Sequence, residues 1–147
     1  MMPLPRAGGV RYDRGKNARL EYRARFNERR GIEDTPRLPP WAAILVSTDR
    51  YVVTVICQAP GHRNDWHYHL VEECWSIYEG ELSWTLEGRT EPVRVTAGEW
   101  VFAPANTFHL IEVLGERPAI RIAISHTGEY HRHERADAPP APSGALQ

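Results

Sequence analysis

Cysteine is scarce in this sequence of 147 residues, which contains Cys57 and Cys74 and no others. No C-x-x-C pair is present, so the sequence lacks the cysteine spacing that builds a structural zinc knuckle. A reducing compartment would keep both residues as thiols, and we expect buried thiols rather than a disulfide. Disulfide chemistry is therefore not expected to hold this fold together.

Long apolar runs and a strong net charge are also missing. No segment approaches the roughly 20 apolar residues of a membrane helix, and residues 1–16 lack the hydrophobic core of a signal peptide. The formal net charge is −1 and no helix-turn-helix pattern occurs, so nothing favours binding to nucleic acid. We expect a cytoplasmic protein that binds neither membranes nor nucleic acid.

Composition and a proline-rich connection divide the sequence into three parts. Apolar residues make up 41% of it, which suits a single globular domain. A proline-rich connection over 34–40 predicts an N-terminal arm (1–40), a folded domain (41–126) and a polar tail (127–147) that we expect to be disordered. Within the basic arm, residues 17–30 fit either a strand or a short helix capped by Asn17.

The folded domain has the pattern of an all-β protein. Short β-branched or alternating segments follow one another, separated by turns that contain glycine or proline. Such spacing is typical of a sandwich or a barrel. The predicted strands cover 42–47, 51–57, 66–70, 73–78, 81–87, 90–95, 100–103, 108–113 and 119–125.

One stretch carries metal-ligand chemistry. His67, His69 and Glu73 form an H-x-H-x-x-x-E run, and alternate residues of a strand share a face with Cα atoms about 6.6 Å apart. His109 is a fourth candidate ligand, and Glu72 is a weaker alternative for the carboxylate. Three imidazoles and one carboxylate suit one divalent ion, namely Fe2+, Mn2+, Ni2+, Co2+ or Zn2+. The simpler interpretation is a set of polar residues on a solvated strand face.

These residues carry a resemblance to the cupin superfamily. The first cupin motif is matched at every position from Gly61 to Gly80, and Gly98, Pro104 and His109 resemble the second. The second match departs from the family at two positions, with Asn106 in place of glycine and Val113 in place of the usual asparagine. The resemblance implies a double-stranded β-helix, which is a jelly-roll barrel, with the metal inside, and it favours a homodimer.

Four further residues are candidates for binding a small-molecule substrate. Trp75 has the parity of Glu73 and is predicted to face inward, and Trp84 and Phe102 belong to an aromatic excess around the two motifs. Arg121 could bind a substrate carboxylate with both guanidinium nitrogens if its strand face lines the barrel. The alternatives are ordinary core packing for the aromatic rings and an outward, solvated position for Arg121.

Residue pattern and resemblance together predict a metal-dependent enzyme without indicating its catalytic residues. We expect an Fe(II)-type dioxygenase of a small organic substrate, aromatic or diketone, because an open site on a redox metal can hold substrate and dioxygen together. An isomerase or lyase with a redox-inert metal is an alternative. A non-catalytic cupin that binds a small ligand is another.

Overall fold

The structure, a computed structural model, describes the backbone of Val10–Arg11 and residues 38–145. Residues 17–30, whose conformation the sequence leaves open, lie outside that range. The described chain is all-β and contains no helix, and hence none that could cross a membrane. Its strands are β1 (Val10–Arg11), β2 (Trp41–Ser47), β3 (Tyr51–Gln58), β4 (Glu73–Glu79), β5 (Glu81–Leu86), β6 (Val93–Thr96), β7 (Trp100–Ala103), β8 (His109–Leu114) and β9 (Ala119–His126).

Two sheets form the double-stranded β-helix. One sheet has the order β1-β2-β3-β9-β4-β7, and the other has the order β6-β5-β8. All pairings are antiparallel except that of β1 with β2. This arrangement confirms the predicted fold class.

Alternation along the strands separates an inner core from an outer one. The inner core gathers apolar side chains of both sheets, among them Trp75, Ile77, Leu82, Trp84 and Val113. A second cluster, with Val55, Cys57 and Ile120 as members, lies on the opposite face of the larger sheet. Both cysteines are free thiols, as expected; Cys57 is buried and Cys74 is partly buried.

The segment before β4 differs from the prediction of a strand over 66–70. Residues 62–72 form isolated bridges rather than a regular strand, and the chain bends at Leu70 and Val71. Glu73 is therefore positioned by the start of β4 and not by a strand that continues from His69. The bend still brings the Glu73 carboxylate to His69, as described below.

The tail also differs from its prediction, because Thr127–Ala145 is packed against the barrel instead of being disordered. Arg132 forms an antiparallel bridge with Tyr68. Arg135 pairs with Glu87 and stacks over the rings of Tyr68 and Phe108. Polar composition did predict a tail without a core of its own, but this tail gains its order from contacts with the barrel.

Gly80, which closes the first motif, is expected to be intolerant of substitution. It has φ +87°, and a Cβ there would lie 2.8 Å from the backbone Cα of Ala119. Gly80→Ala should therefore cost about 2–4 kcal/mol of unfolding free energy, from left-handed strain and the clash together. Gly88→Ala is the matched control, since Gly88 has φ +79° and open space around it; about 1 kcal/mol is expected there. Urea unfolding measures the unfolding free energy of both variants, and an equal loss in the two would contradict the steric argument.

Candidate metal centre

Three histidines meet because two segments pair side by side. His67 and His109 form an antiparallel bridge, with His67 N donating to His109 O at 3.2 Å and His109 N donating to His67 O at 2.8 Å. His69 lies two residues beyond His67 and shares its face. All three side chains are buried. The ring centroid of His67 lies 5.0 Å from that of His69 and 4.3 Å from that of His109.

Backbone carbonyls orient the three rings. Nδ1 of His67 donates to the Asp65 carbonyl (2.9 Å), Nδ1 of His109 to the Thr107 carbonyl (3.0 Å), and Nδ1 of His69 to the Tyr130 carbonyl (3.1 Å). A carbonyl oxygen only accepts, so each Nδ1 carries the proton and each neutral ring has its lone pair on Nε2. This partner arrangement is the one that metal-ligating histidines use.

The donor atoms fit a metal ion. His67, His69 and His109 each offer one ligand atom, and these atoms lie within 4.8 Å of one another. Among residues 38–145, Nε2 of His109 is buried with no hydrogen-bond partner, and Nε2 of His69 lies 2.9 Å from Glu73 Oε2 without a hydrogen bond. A buried polar atom left unpaired is costly, and a bound cation removes that cost.

Burial keeps the imidazole rings of His67 and His109 in the neutral form. Burial, with the nearby His109 and His131, lowers the pKa of His67 to about 3. Burial likewise lowers the pKa of His109 to about 4. Both imidazoles are therefore neutral at pH 7, which is the form that binds metal.

Glu73 adjoins the three histidines through His69. Its Oε2 lies 2.9 Å from His69 Nε2, and its Oε1 accepts a hydrogen bond from Ser125 Oγ at 2.8 Å. Burial would raise the pKa of Glu73, but the contacts with His69 and Ser125 outweigh it and the pKa is lowered. The same contact overcomes burial at His69 and raises the pKa of that ring. The alternative carboxylate, Glu72, instead lies 3.7 Å from His126, away from the three histidines.

This donor set suits a borderline divalent ion. Three imidazole nitrogens bind Fe2+, Mn2+, Ni2+, Co2+ or Zn2+, and a neighbouring carboxylate can complete a mixed site. Three or four protein ligands leave positions open in five- or six-coordinate geometry. The arrangement can therefore hold a small oxygen ligand beside the metal.

Two of the predicted substrate residues line the interior. Trp75 is 2% exposed, and its ring centroid lies 5.5 Å from that of His109. Trp84 is fully buried, and its ring lies 5.2 Å from that of Trp75. In the part of the chain that the structure describes, Trp84 Nε1 has no hydrogen-bond partner.

Arg121 is buried inside the barrel rather than solvated. It is 4% exposed, and it lies on the same face of β9 as Ser125, which contacts Glu73. Its Nη1 donates to Gln58 Oε1. Within residues 38–145 its Nε has no hydrogen-bond partner, and no carboxylate lies within 4 Å of the guanidinium. Burial lowers the pKa of Arg121 to about 10, with Glu73 acting in the opposite direction. Gln58 Nε2 in turn lies 2.7 Å from His62 Nε2.

Phe102 points away from the barrel interior and does not line the site. Its side chain is 58% exposed, and that of Trp100 is 62% exposed. The reason is the register, since Val101 and Ala103 are the residues opposite inward-facing Trp75 and Glu73. Phe102 is therefore an outer-surface residue.

The tail supplies contacts that the sequence argument did not include. Tyr130 accepts the His69 hydrogen bond, and Glu129 Oε2 accepts one from Leu70 N at 3.1 Å. His131 stacks on His67, with centroids 3.5 Å apart and an interplanar angle of 5°. The H-x-H spacing at 131–133 was the one available signal for this role.

Comparisons with known proteins agree with the fold. The family model described as "Cupin domain" matches residues 54–125. No curated protein sequence matches the chain.

Several solved structures are similar. A conserved protein with a double-stranded β-helix domain from Klebsiella pneumoniae has TM-score 0.57 and 20% identity, covering 70% of this chain and 95% of that one. An RmlC-like cupin family protein from Methanocaldococcus jannaschii has TM-score 0.54 and 24% identity, covering 60% and 80%. A structure described as DMSP lyases RdDddP and RnDddQII has TM-score 0.52 and 26% identity, covering 61% of this chain but 46% of that one. The matched part of this chain also spans only 50% of the length of one other solved structure.

Proposed function

Because the chain belongs to the cupin superfamily, we propose that its histidine cluster binds one divalent metal ion and that the protein is a metal-dependent enzyme of the dioxygenase type. Fe2+ is the favoured ion, and the substrate is a small organic acid with planar, oxygen-rich character. The observation that carries this proposal is the set of three carbonyl-oriented imidazoles whose ligand atoms lie within 4.8 Å of one another.

Separate groups of residues would bind the metal and shield the interior. His67, His69 and His109 would hold the metal through their unprotonated Nε2 atoms, and Glu73, whose Oε2 lies 2.9 Å from His69 Nε2, would complete its coordination. A redox-active ion bound there supplies electrons for dioxygen chemistry. The buried Trp75 ring lies beside His109 and would limit access of water to that side of the site.

The substrate class follows from unpartnered donors in the interior. Arg121 Nε and Trp84 Nε1 are both buried without an acceptor in the described part of the chain. A guanidinium without a carboxylate partner favours an anionic ligand, since a buried charge is costly unless it is paired. A planar acid could place its carboxylate at Arg121, and its ring would pack against Trp75 or Trp84.

Oxygen uptake is the experiment that tests this function. Metal-free protein is loaded anaerobically with Fe2+, and dioxygen consumption is followed with catechols, hydroxybenzoates and β-diketones. We expect substrate-dependent uptake that His109→Ala abolishes. Protein with a full equivalent of iron and no uptake across the panel would contradict the dioxygenase assignment.

A lyase or isomerase is the second candidate, favoured by the likeness to a structure described as DMSP lyases. A redox-inert ion at the same histidines would then polarise a carbonyl or activate water. Zn2+-loaded protein incubated with the same panel without dioxygen, and followed by NMR, tests it. Ligand binding in calorimetry with no product in either assay would instead support a non-catalytic binding protein.

We also propose that the chain forms a homodimer through the outer face of the larger sheet. Trp100 and Phe102 are exposed there on β7, an edge strand. Exposed aromatic pairs on a sheet edge favour association with a second copy. Light scattering should give a dimer for the native chain and a monomer for Trp100→Ser/Phe102→Ser. A monomeric native chain, or an unchanged mass in the double variant, would contradict this.

A further inference from the structure

The tail segment over residues 129–135 lies against two of the three candidate ligands. The Tyr130 carbonyl accepts the hydrogen bond of His69 Nδ1 at 3.1 Å. The His131 ring packs flat on that of His67, with centroids 3.5 Å apart and an interplanar angle of 5°. Both ligand rings are buried with the segment in this position. The tail segment is therefore part of the wall of the candidate metal centre.

Asp65 connects a ligand to the same segment. Its backbone carbonyl accepts the hydrogen bond of His67 Nδ1 at 2.9 Å. Its carboxylate lies 2.9 Å from His131 Nδ1 and 2.5 Å from His133 Nε2. Because these contacts hold the carboxylate, losing them would loosen the backbone carbonyl that orients His67. The orientation of two ligands thus depends on the position of the tail segment.

Arg135 anchors the segment at its C-terminal end. The guanidinium pairs with Glu87, and its Nη1 also donates to the Asn106 carbonyl at 2.5 Å. Glu87 Oε2 in turn accepts a hydrogen bond from Phe108 N at 3.0 Å. The anchor therefore holds the backbone that immediately precedes His109, the third candidate ligand.

The tail segment is attached in a way that allows local opening. It forms no strand, and it meets the barrel backbone at an isolated bridge between Tyr68 and Arg132. The other contacts described above each involve a side chain. A segment held in this way opens at a lower free-energy cost than a strand inside a sheet. A change in the order of the ligand rings can therefore shift the equilibrium between the docked and the open segment.

We propose that metal binding at the histidine centre and docking of the tail segment stabilise each other, so that the tail closes over the occupied centre. A bound ion fixes the rings of His67 and His69, whose Nδ1 atoms then point at their two carbonyl acceptors, and this lowers the entropic cost of ordering the segment. The docked segment in turn holds those rings ready for the ion. The coupling is reciprocal, because each event changes the free energy of the other by the same amount. It rests on the proposed function in one respect, since the three histidines must bind an ion.

The first half of the test measures metal affinity in variants that release the tail. Metal-free protein is titrated with Zn2+ in a calorimeter. Arg135→Met removes the anchor and leaves all three histidines in place, and it should weaken Zn2+ binding by about 10–100-fold, as loss of an outer-shell partner does. The double variant His131→Ala/His133→Ala keeps the anchor but frees the Asp65 carboxylate, and it should weaken binding in the same direction. Circular dichroism checks that each variant folds.

Arg94→Met is the matched control for the loss of an arginine. Arg94 lies on β6, where its Nη1 is 4.0 Å from Glu81 Oε1 in an exposed ion pair. An exposed pair of this kind contributes little to stability. The Arg94→Met variant should therefore keep the native affinity for Zn2+.

The second half of the test measures the tail in the native chain. Hydrogen exchange of the Tyr68 and Arg132 amides, which donate to each other's carbonyls at 3.0 and 3.1 Å, is followed by NMR without metal and with saturating Zn2+. Reciprocity predicts that both amides slow by a factor similar to the affinity loss in Arg135→Met. The Gly98 amide, which donates to the Ile77 carbonyl at 2.9 Å in the turn between β6 and β7, should change little.

Three results would overturn the proposal. They are native Zn2+ affinity in both Arg135→Met and the double histidine variant, unchanged exchange at Tyr68 and Arg132, and an equal slowing at Gly98, which would indicate stabilisation of the whole fold. A native chain that binds no Zn2+ would remove the metal centre and the coupling together. A chain that shows the coupling but no oxygen uptake would support this proposal and contradict the dioxygenase assignment.

Discussion

His109→Ala is expected to abolish metal binding at the histidine centre. His109 is 1% exposed, its ring is oriented by the Thr107 carbonyl, and none of the described residues forms a hydrogen bond with its Nε2. Removing an outer-shell partner already costs about 10–100-fold in metal affinity, so loss of a direct ligand should cost at least about 100-fold. Fe2+ or Co2+ content after loading and dialysis measures the loss.

His109→Gln separates ligation from packing. Glutamine retains most of the buried volume, whereas alanine leaves a cavity that lowers stability as well. Both variants should lose metal, but His109→Gln should unfold closer to the native urea midpoint. His126→Ala is the control that should keep full metal content, since His126 is exposed and contacts Glu72. Full metal in either His109 variant would remove the basis of the proposed function.

Arg121→Met is expected to have two effects of opposite sign. Arg121 holds a buried charge whose described partners include no carboxylate. Replacing a buried charge by an apolar side chain of similar length is often neutral or stabilising by about 1–4 kcal/mol. Affinity for an anionic substrate should fall by about 10–100-fold, because a hydrogen bond to a charged group contributes about 1.5–3 kcal/mol.

The combination of the two measurements distinguishes a binding role from a structural one. Urea unfolding reports the first effect, and the KM for a planar acid, compared with the KM for its neutral amide, reports the second. Metal content should be unchanged, because Arg121 lies about 13 Å along β9 from Ser125, the neighbour of Glu73. A variant that loses stability and keeps its preference for the acid would show that Arg121 serves the fold.

Local patterns predicted much of the architecture. Alternation and turn residues located eight of the nine strands to within a few residues, and the confirmed all-β fold follows from them. Asn106, where the family has glycine, has φ 56°, a left-handed backbone that asparagine tolerates. The fixed spacing of the two motifs also placed His67, His69 and His109 in one cluster. These features depend on chain period and short-range geometry.

Other features depend on contacts between distant segments, and local patterns do not contain them. The direction of Phe102 follows from the register of β7 against β4, which local sequence does not specify. The polar tail looked disordered because it has no core of its own. It is ordered by the Tyr68–Arg132 bridge and by the pairing of Arg135 with Glu87, both across more than forty residues.

The contact between Trp75 and His109 gives the protein an intrinsic optical probe. The Trp75 ring lies 5.2 Å from that of Trp84 and 5.5 Å from that of His109, whereas Trp100 is 62% exposed on the outer face of β7. A paramagnetic ion at the centre would quench the blue-shifted emission of the buried indoles beside it, Trp75 and Trp84, and leave the red-shifted emission of the exposed Trp100. Occupancy of the centre could thus be followed in real time on the unlabelled chain, and acrylamide, which reaches Trp100 first, would separate the two signals.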